Sequence, residues 1–316
     1  MSDKDLPEEF PTAEQILSAL DRTGFVLEYR VALKFKEHRF DVTLNDAFAD
    51  PETGKSREID VIATSSRNVL EGHVSRVIIN AKLIIECKNY ADPLVIIGQD
   101  GARYHNGEPT VTFDPLLIEF ADRSPENYAG IEAQLEMWKL PSHVTRGFIG
   151  GQLIKMRRQN GRWQATNESV YDSIIYPLAK AAEHERKGET GSALDSEVPW
   201  SVPQFIYTFP VLITAGTIFT VDVVPDGIPV VRPVKWSPVT RQFSDYSFMM
   251  DVVSFDCIDD YLDQRIFPTL TEAHEVLASN IQLFNPEWLQ QQYGESSDPN
   301  FRMWLEVFRS SAEKAD

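Results

Sequence analysis

Cysteine is scarce in this chain, and its scarcity excludes two kinds of architecture. Only Cys87 and Cys257 occur among the 316 residues, and they lie far apart. A disulfide framework needs several cysteines, and a structural zinc site needs closely spaced cysteines or histidines. The six histidines are scattered. We therefore expect a reduced protein whose fold depends on burying apolar side chains.

Long uncharged runs are also scarce. One such run, Val198 to Val221, approaches the length of a membrane span, but three prolines and Gly216 interrupt it. This pattern predicts two strands across a turn. The first residues, Met1 to Asp5, lack the apolar core of a secretory signal. We expect a cytoplasmic protein with no membrane partner.

Positive charge is the third shortage, and the formal net charge is −18. Nucleic-acid binding depends on lysine and arginine, so this balance argues against a protein that coats nucleic acid tightly. The acidic excess is concentrated in residues 245–316, whereas His143 to Trp163 contains no acid. The basic residues of that stretch are Arg146, Lys155, Arg157, Arg158 and Arg162. We predict that they bind nucleic acid; the alternative is a solvated hairpin face.

The most informative residues are two acids and a lysine beside apolar runs. Asp60 precedes the run Val61 to Ala63, and Glu86 and Lys88 end the run Leu83 to Lys88. Side chains alternate along a strand, so Glu86 and Lys88 share one face. Buried carboxylates at strand ends are costly unless they pair or hold a metal. Carboxylate oxygens suit a hard cation such as Mg²⁺, and a nearby lysine can act on its bound water.

Glu28 adds a third acid to this pattern. On the predicted helix from Gly24 to about His38, it lies on the same side as Phe25, Val31 and Phe35. An acid in an apolar stripe needs a partner, which a metal site or Lys88 would supply. The alternative is an acid at the edge of the stripe, paired with a basic residue of the same helix.

The order of helix acid, strand acid and strand Glu-x-Lys resembles the PD-(D/E)XK, or restriction-endonuclease-like, nucleases, nearest their Mrr-like branch. The resemblance is strongest from Gly24 to Asn89, about a fifth of the chain. It implies an α/β fold with an α-β-β-β-α-β core. Ile59 stands where many members have proline. The long separation of Asp60 from Glu86 implies an extra hairpin near Val69 to Ile79.

The resemblance also implies an activity, namely Mg²⁺-dependent endonuclease cleavage, with Mn²⁺ as an alternative metal. Asp60, Glu86 and the Cys87 carbonyl would hold the metal, and Lys88 would position the attacking water. Glu28 would orient Lys88 or contact a second metal. Similar proteins usually cut DNA in restriction, repair or phage defence. Two rivals remain: a catalytically silent binding or scaffold module, and a nuclease acting on RNA.

The chain divides into three predicted parts: an acidic tail at 1–12, a nuclease-like core at 13–224 with an insertion at about 90–167, and a C-terminal α+β extension at 225–316. The acidic, aromatic C-terminus suggests a protein partner, and cutting two strands suggests a homodimer. No P-loop, Gly-x-Ser-x-Gly elbow or dinucleotide fingerprint occurs.

Further predicted elements are a strand at Thr110–Phe113, a helix at about Pro125–Leu140, turns at Gly150-Gly151 and Asn160-Gly161, adjoining strands at Phe205–Ile213 and Thr217–Val223, and a capping box at Thr269–Glu272 opening a helix from Ala273 to Phe284.

Overall fold

The structure, a computed structural model, describes residues 10–50, 53–71, 75–100, 118–120, 147–195, 204–224, 227–243, 247–279, 281 and 291. Five α-helices occur in this part of the chain: α1 (Ala13–Thr23), α2 (Phe25–Glu37), α3 (Tyr176–Asp195), α4 (Ile258–Tyr261) and α5 (Phe267–Ser279). One π-helical turn, Tyr171–Ile175, precedes α3, and another, Leu262–Ile266, joins α4 to α5. No described helix is long and apolar enough to cross a membrane.

The strands in chain order are β1 (Asp41–Ala49), β2 (Ser56–Glu71), β3 (Ser75–Lys88), β4 (Leu94–Asp100), β5 (Ile118–Phe120), β6 (Phe148–Gln159), β7 (Arg162–Thr166), β8 (Gln204–Thr214), β9 (Ile218–Asp222), β10 (Val230–Val234), β11 (Trp236–Gln242) and β12 (Ser247–Ser254). They form one mixed sheet in the order β1-β2-β3-β8-β12-β11-β6-β4-β9-β10, with β5 beside β8 and β7 beside β6. The expected α/β class is therefore confirmed. Strands from residues 94–159 and 230–254 belong to this same sheet.

The sheet separates two apolar cores. On one face α2 and α5 cover Leu83, Ile85 and Cys87 of β3. On the other face α3 and the turn before it cover Ile84. This division follows from the alternation of strand side chains and explains why β3 is apolar on both faces along most of its length.

The parallel pair β3–β8 continues, after a short interruption, as the parallel pair β4–β9. The interruption is tight, because a Cβ atom on Gly216 would lie 2.8 Å from the Tyr90 carbonyl oxygen and 2.9 Å from that of Asp92. Real Cβ atoms do not approach so closely, so only glycine fits between these carbonyls. The close packing at Gly216 fixes the path of the chain directly after Lys88.

The predicted hairpin near Val69 to Ile79 is present, because Val69 pairs with Val77 in the antiparallel β2–β3 ladder, but it is not an additional hairpin. Instead β2 and β3 are unusually long, and their antiparallel ladder continues from Val61↔Ile85 to Glu71↔Ser75. The intervening residues extend the two strands that carry the acids because Val69 and Ile79, both buried, pack into the first core.

The sequence predicts two glycine-containing turns in the β6–β7 region, and the structure has a turn at only one of these positions. Asn160 and Gly161 have φ angles of 50° and 75° and connect β6 to β7, as predicted. Gly150 and Gly151 lie inside β6, opposite an irregularity in β4. A Cβ atom on Gly150 would come within 2.2 Å of the Ile96 side chain, so this glycine permits close packing within the sheet.

The predicted capping box at Thr269 is also wrong. Helix α5 begins earlier, at Phe267, directly after the π-helical turn. The Thr269 hydroxyl donates to the Arg265 carbonyl at 2.7 Å, which is a contact made within a helix. Tertiary burial of Leu270 and Ala273 continues the helix through the position where the local signal suggested a start.

Strands β8 and β9 are consecutive in the chain but do not adjoin in the sheet. β8 lies between β3 and β12, whereas β9 lies between β4 and β10. The strand predicted at Thr110–Phe113, the helix predicted at Pro125–Leu140 and most of the aromatic C-terminus lie outside the described residues.

Candidate active site

The predicted acids meet where β2 and β3 separate. The last paired residues of the two strands at this end are Val61 and Ile85. Just beyond them, the backbone N–H of Cys87 donates to the Asp60 carboxylate (N to Oδ2, 2.7 Å). The side chain of Asp60 thus takes the place of a missing strand partner. This contact fixes Asp60 against the backbone between Glu86 and Lys88.

Glu86 and Lys88 form an ion pair, with the Lys88 ammonium donating to Glu86 Oε1. Their side chains are 12% and 24% exposed, so water screens the pair only partly. They lie on the face of β3 that also carries Ile84, as alternation predicts. Burial opposes the charged form of Lys88, but the Glu86 carboxylate, with help from Asp60 and Tyr90, raises the pKa of its ammonium.

Glu28 is buried in the first turn of α2, on the same side as Leu27, Val31 and Phe35. Burial raises the pKa of its carboxyl to about 6, and the charges of Asp60 and Glu58 add to the rise while Lys88 opposes it. Glu28 therefore lies within electrostatic range of the strand acids. Sequence reasoning missed Glu58, although it precedes Asp60 by two residues in β2 and strand alternation places both on the same face.

The carboxylates of Asp60 and Glu86 are partly shielded from solvent and repel one another. Burial, followed by the charge of Asp60, raises the pKa of Glu86 to about 7. Burial also raises the pKa of Asp60, although the Cys87 N–H and Lys88 favour its ionised form. A nearby cation would stabilise the ionised forms of these buried carboxyl groups. The Cys87 thiol lies in the opposite core, and burial raises its pKa well above the usual value, so it stays neutral.

The donor chemistry fits a hard divalent cation. Asp60 and Glu86 offer carboxylate oxygens and Cys87 offers a backbone carbonyl, which are the ligand types Mg²⁺ prefers. Among the described residues, no group of three or more histidine, cysteine, aspartate or glutamate side chains is arranged to hold a metal. A two-carboxylate site leaves further coordination positions to water and substrate, as is usual for Mg²⁺.

The predicted nucleic-acid-binding residues that the structure describes lie in the β6–β7 hairpin. Arg157, Arg158 and Arg162 are exposed, whereas Lys155 is buried with only 8% of its surface accessible. Its ammonium lies 3.5 Å from the centroid of the Tyr90 ring, a cation–π contact. Lys155 is thus set apart from the exposed arginines and supports the segment that follows Lys88. Arg146 lies outside the described residues.

Tyr90 is a second residue that sequence reasoning missed. It connects the catalytic candidates to the hairpin, since it contributes to the raised pKa of Lys88 and its ring contacts Lys155. No pattern in the sequence indicates the contact with Lys155, because Tyr90 follows β3 whereas Lys155 lies in β6, far along the chain.

Comparisons with protein-family models, with curated proteins and with solved structures found no match to this chain.

Proposed function

We propose that the protein is a metal-dependent nuclease with a restriction-endonuclease-like core. The observation that supports this most directly is the gathering of Asp60, Glu86 and Lys88 at the open end of the β2–β3 ladder. The order of α2, β1, β2, β3, α3 and β8, with β8 parallel to β3, is compatible with the α-β-β-β-α-β core. Strands β4 to β7 form the insertion between β3 and α3.

In this proposal Asp60, Glu86 and the Cys87 carbonyl hold Mg²⁺ or Mn²⁺. The metal, when bound, supplies Lewis-acid activation of the phosphodiester and of a water molecule. Lys88, held by Glu86, donates hydrogen bonds to the attacking oxygen or to the phosphate as negative charge develops. Glu28, on the adjacent helix, would orient Lys88 or contact a second metal. DNA is the proposed substrate, and the chemistry applies equally to RNA.

The choice of variants follows from the hydrogen bond to Cys87. Asp60→Ala would leave the Cys87 N–H without its acceptor, which costs about 1–3 kcal/mol for a buried group. Asp60→Asn keeps an acceptor oxygen and removes the charge. It therefore separates catalysis from folding better than the alanine variant does.

We expect Asp60→Asn and Lys88→Ala to lower cleavage of single- and double-stranded DNA and of RNA by roughly a hundredfold or more, because each removes a group needed as charge develops. The assay compares Mg²⁺, Mn²⁺ and EDTA, and thermal unfolding verifies that both variants fold. Lys36→Gln, an exposed change at the far end of α2, serves as the control. Unchanged cleavage in both variants would reject the nuclease and favour a binding or scaffold module.

A further inference from the structure

One edge of β6 has a gap between its two neighbours. β4 pairs with one edge of β6 from Phe148 to Lys155. On the other edge, β11 pairs only at Gly150, and β7 pairs only from Lys155 onward. On this edge, residues 151–154 of β6 therefore pair with neither β11 nor β7, and a wedge-shaped space lies between those two strands.

A cavity of about 380 Å³ occupies this wedge. Its lining includes Leu153 and Ile154 and the polar residues Gln152, Thr166, Asn167 and Arg241. The polar side chains of this lining can form hydrogen bonds with a group bound in the cavity. Volume and polarity suit a small, hydrogen-bonding group better than an apolar ligand.

Arg241 is the unusual member of this lining. Its Nε is buried, and no described residue provides an acceptor for it. A guanidinium has five N–H donors and no acceptor, and a buried donor without a partner costs about 1–3 kcal/mol. Arg241 also lines the cavity, so an oxyanion entering it would pair with the guanidinium group and neutralise its charge.

We propose that this cavity binds a phosphate group of the nucleic-acid backbone, with Arg241 as the principal contact. The inference rests on the proposed nuclease function and specifies how the substrate is held. A polyanion is favoured over a single carboxylate because the same hairpin carries Arg157, Arg158 and Arg162 and has no acid from Phe148 to Thr166.

The cavity and two of the exposed arginines lie along one strand, β6. From Leu153 at the cavity to Arg158 is about 17 Å at roughly 3.3 Å per residue. One strand of duplex DNA advances roughly 3.4 Å per nucleotide, so this distance corresponds to about five nucleotides. One residue beyond Ile154, Lys155 contacts Tyr90, which follows Lys88 by two positions. The contact between Lys155 and Tyr90 therefore connects the strand that lines the cavity to the segment that follows Lys88.

The first test measures binding without catalysis. The full chain in EDTA is titrated with labelled single-stranded and duplex oligonucleotides at several salt concentrations, using fluorescence anisotropy. Arg241→Gln should weaken binding roughly tenfold and reduce the slope of log K against log salt by about one, as expected when one phosphate contact is lost. Lys36→Gln should change neither quantity. An Arg241→Gln variant with wild-type affinity and slope would overturn the proposal.

A second measurement guards against a merely structural effect. In ¹H–¹⁵N spectra, one arginine Nε–Hε resonance that is absent from Arg241→Lys should shift on titration with inorganic phosphate. Acetate at matched ionic strength should shift it far less. A response to acetate and acidic peptide but not to phosphate would overturn the phosphate assignment and indicate an acidic protein partner.

The two proposals can fail separately. If Asp60→Asn retains full cleavage while Arg241→Gln still flattens the salt dependence of oligonucleotide binding, the proposed nuclease site is wrong and the phosphate site is supported. If Asp60→Asn abolishes cleavage but Arg241 has no effect on binding or on the phosphate spectrum, the phosphate site falls alone.

Discussion

At the scale of single residues, Asp60 shows how one side chain can be both structural and chemical. Its carboxylate completes the hydrogen bonding of β3 at Cys87 while adding charge to a site that already contains Glu86 and Glu28. Burial makes this charge unfavourable, so the pKa values of all three acids are raised. Such destabilised groups are typical of functional sites, where the cost is recovered on ligand binding.

Glu86 gives a pH prediction whose sign can be worked out. Its carboxyl has a reference pKa of 4.5 and a folded pKa of about 7, so the folded protein binds the proton more tightly than the unfolded chain does. This stabilising contribution is fully present below pH 4.5 and is lost as pH rises to about 7. In EDTA, the free energy of unfolding should therefore contain a term that declines across this window, on the order of a few kcal/mol.

Urea unfolding at pH 5 and pH 8, compared between wild type and Glu86→Gln, measures this term. The glutamine variant cannot ionise, so the decline from pH 5 to pH 8 should be smaller than in wild type. Added Mg²⁺ should stabilise wild type at pH 8 and leave Glu86→Gln nearly unaffected. Equal pH dependence in both proteins would contradict the raised pKa.

At the scale of elements, the bend after β3 and β8 decides where Lys88 lies. Gly216 passes between the carbonyls of Tyr90 and Asp92, and the Thr214 hydroxyl accepts a hydrogen bond from the Gly216 N–H at 3.1 Å. Thr214 is fully buried, so this contact belongs to the interior of the bend. The β3–β4 and β8–β9 connections are consequently held together immediately beside the ion pair of Glu86 and Lys88.

We expect Gly216→Ala to lower stability by about 1–3 kcal/mol, because the added methyl must displace backbone on both sides. Cleavage should fall as well, since Tyr90 and Lys88 would shift with the displaced segment. Gly151→Ala is a matched control, because a Cβ atom there meets nothing within 4 Å. Thermal unfolding measures both variants; equal melting temperatures for the two would show that the bend tolerates a side chain.

At the scale of the whole molecule, charge is the main constraint on nucleic-acid binding. The net charge of −18 repels polyanions at long range, so attraction must come from a local basic surface. The exposed arginines of the β6–β7 hairpin form such a surface, and exposed Trp163 lies opposite Arg158 in the hairpin register. An aromatic ring beside arginines can stack on an unpaired base.

Charge reversal tests this surface. The double variant Arg157→Glu/Arg158→Glu should weaken oligonucleotide binding by at least tenfold and flatten its salt dependence, because two phosphate contacts are lost. A Lys36→Glu variant should have little effect. Anisotropy titrations over a range of salt concentrations measure both. Unchanged binding in the double variant would assign the hairpin arginines to a solvated surface.

The sequence by itself determined the α/β class, the helix carrying Glu28, the strands carrying Asp60, Glu86 and Lys88, and the turn at Asn160-Gly161. These features depend on local periodicity and on residues that tolerate positive φ, which neighbouring positions encode. Tertiary structure decided the rest. Burial of Leu270 and Ala273 extends helix α5 through Thr269, where the local sequence predicted a helix start. Gly150 allows close packing against Ile96 and does not form a turn. The contact of Lys155 with Tyr90 and the buried Nε of Arg241 depend on which strands become neighbours, and that pairing joins residues far apart in the chain.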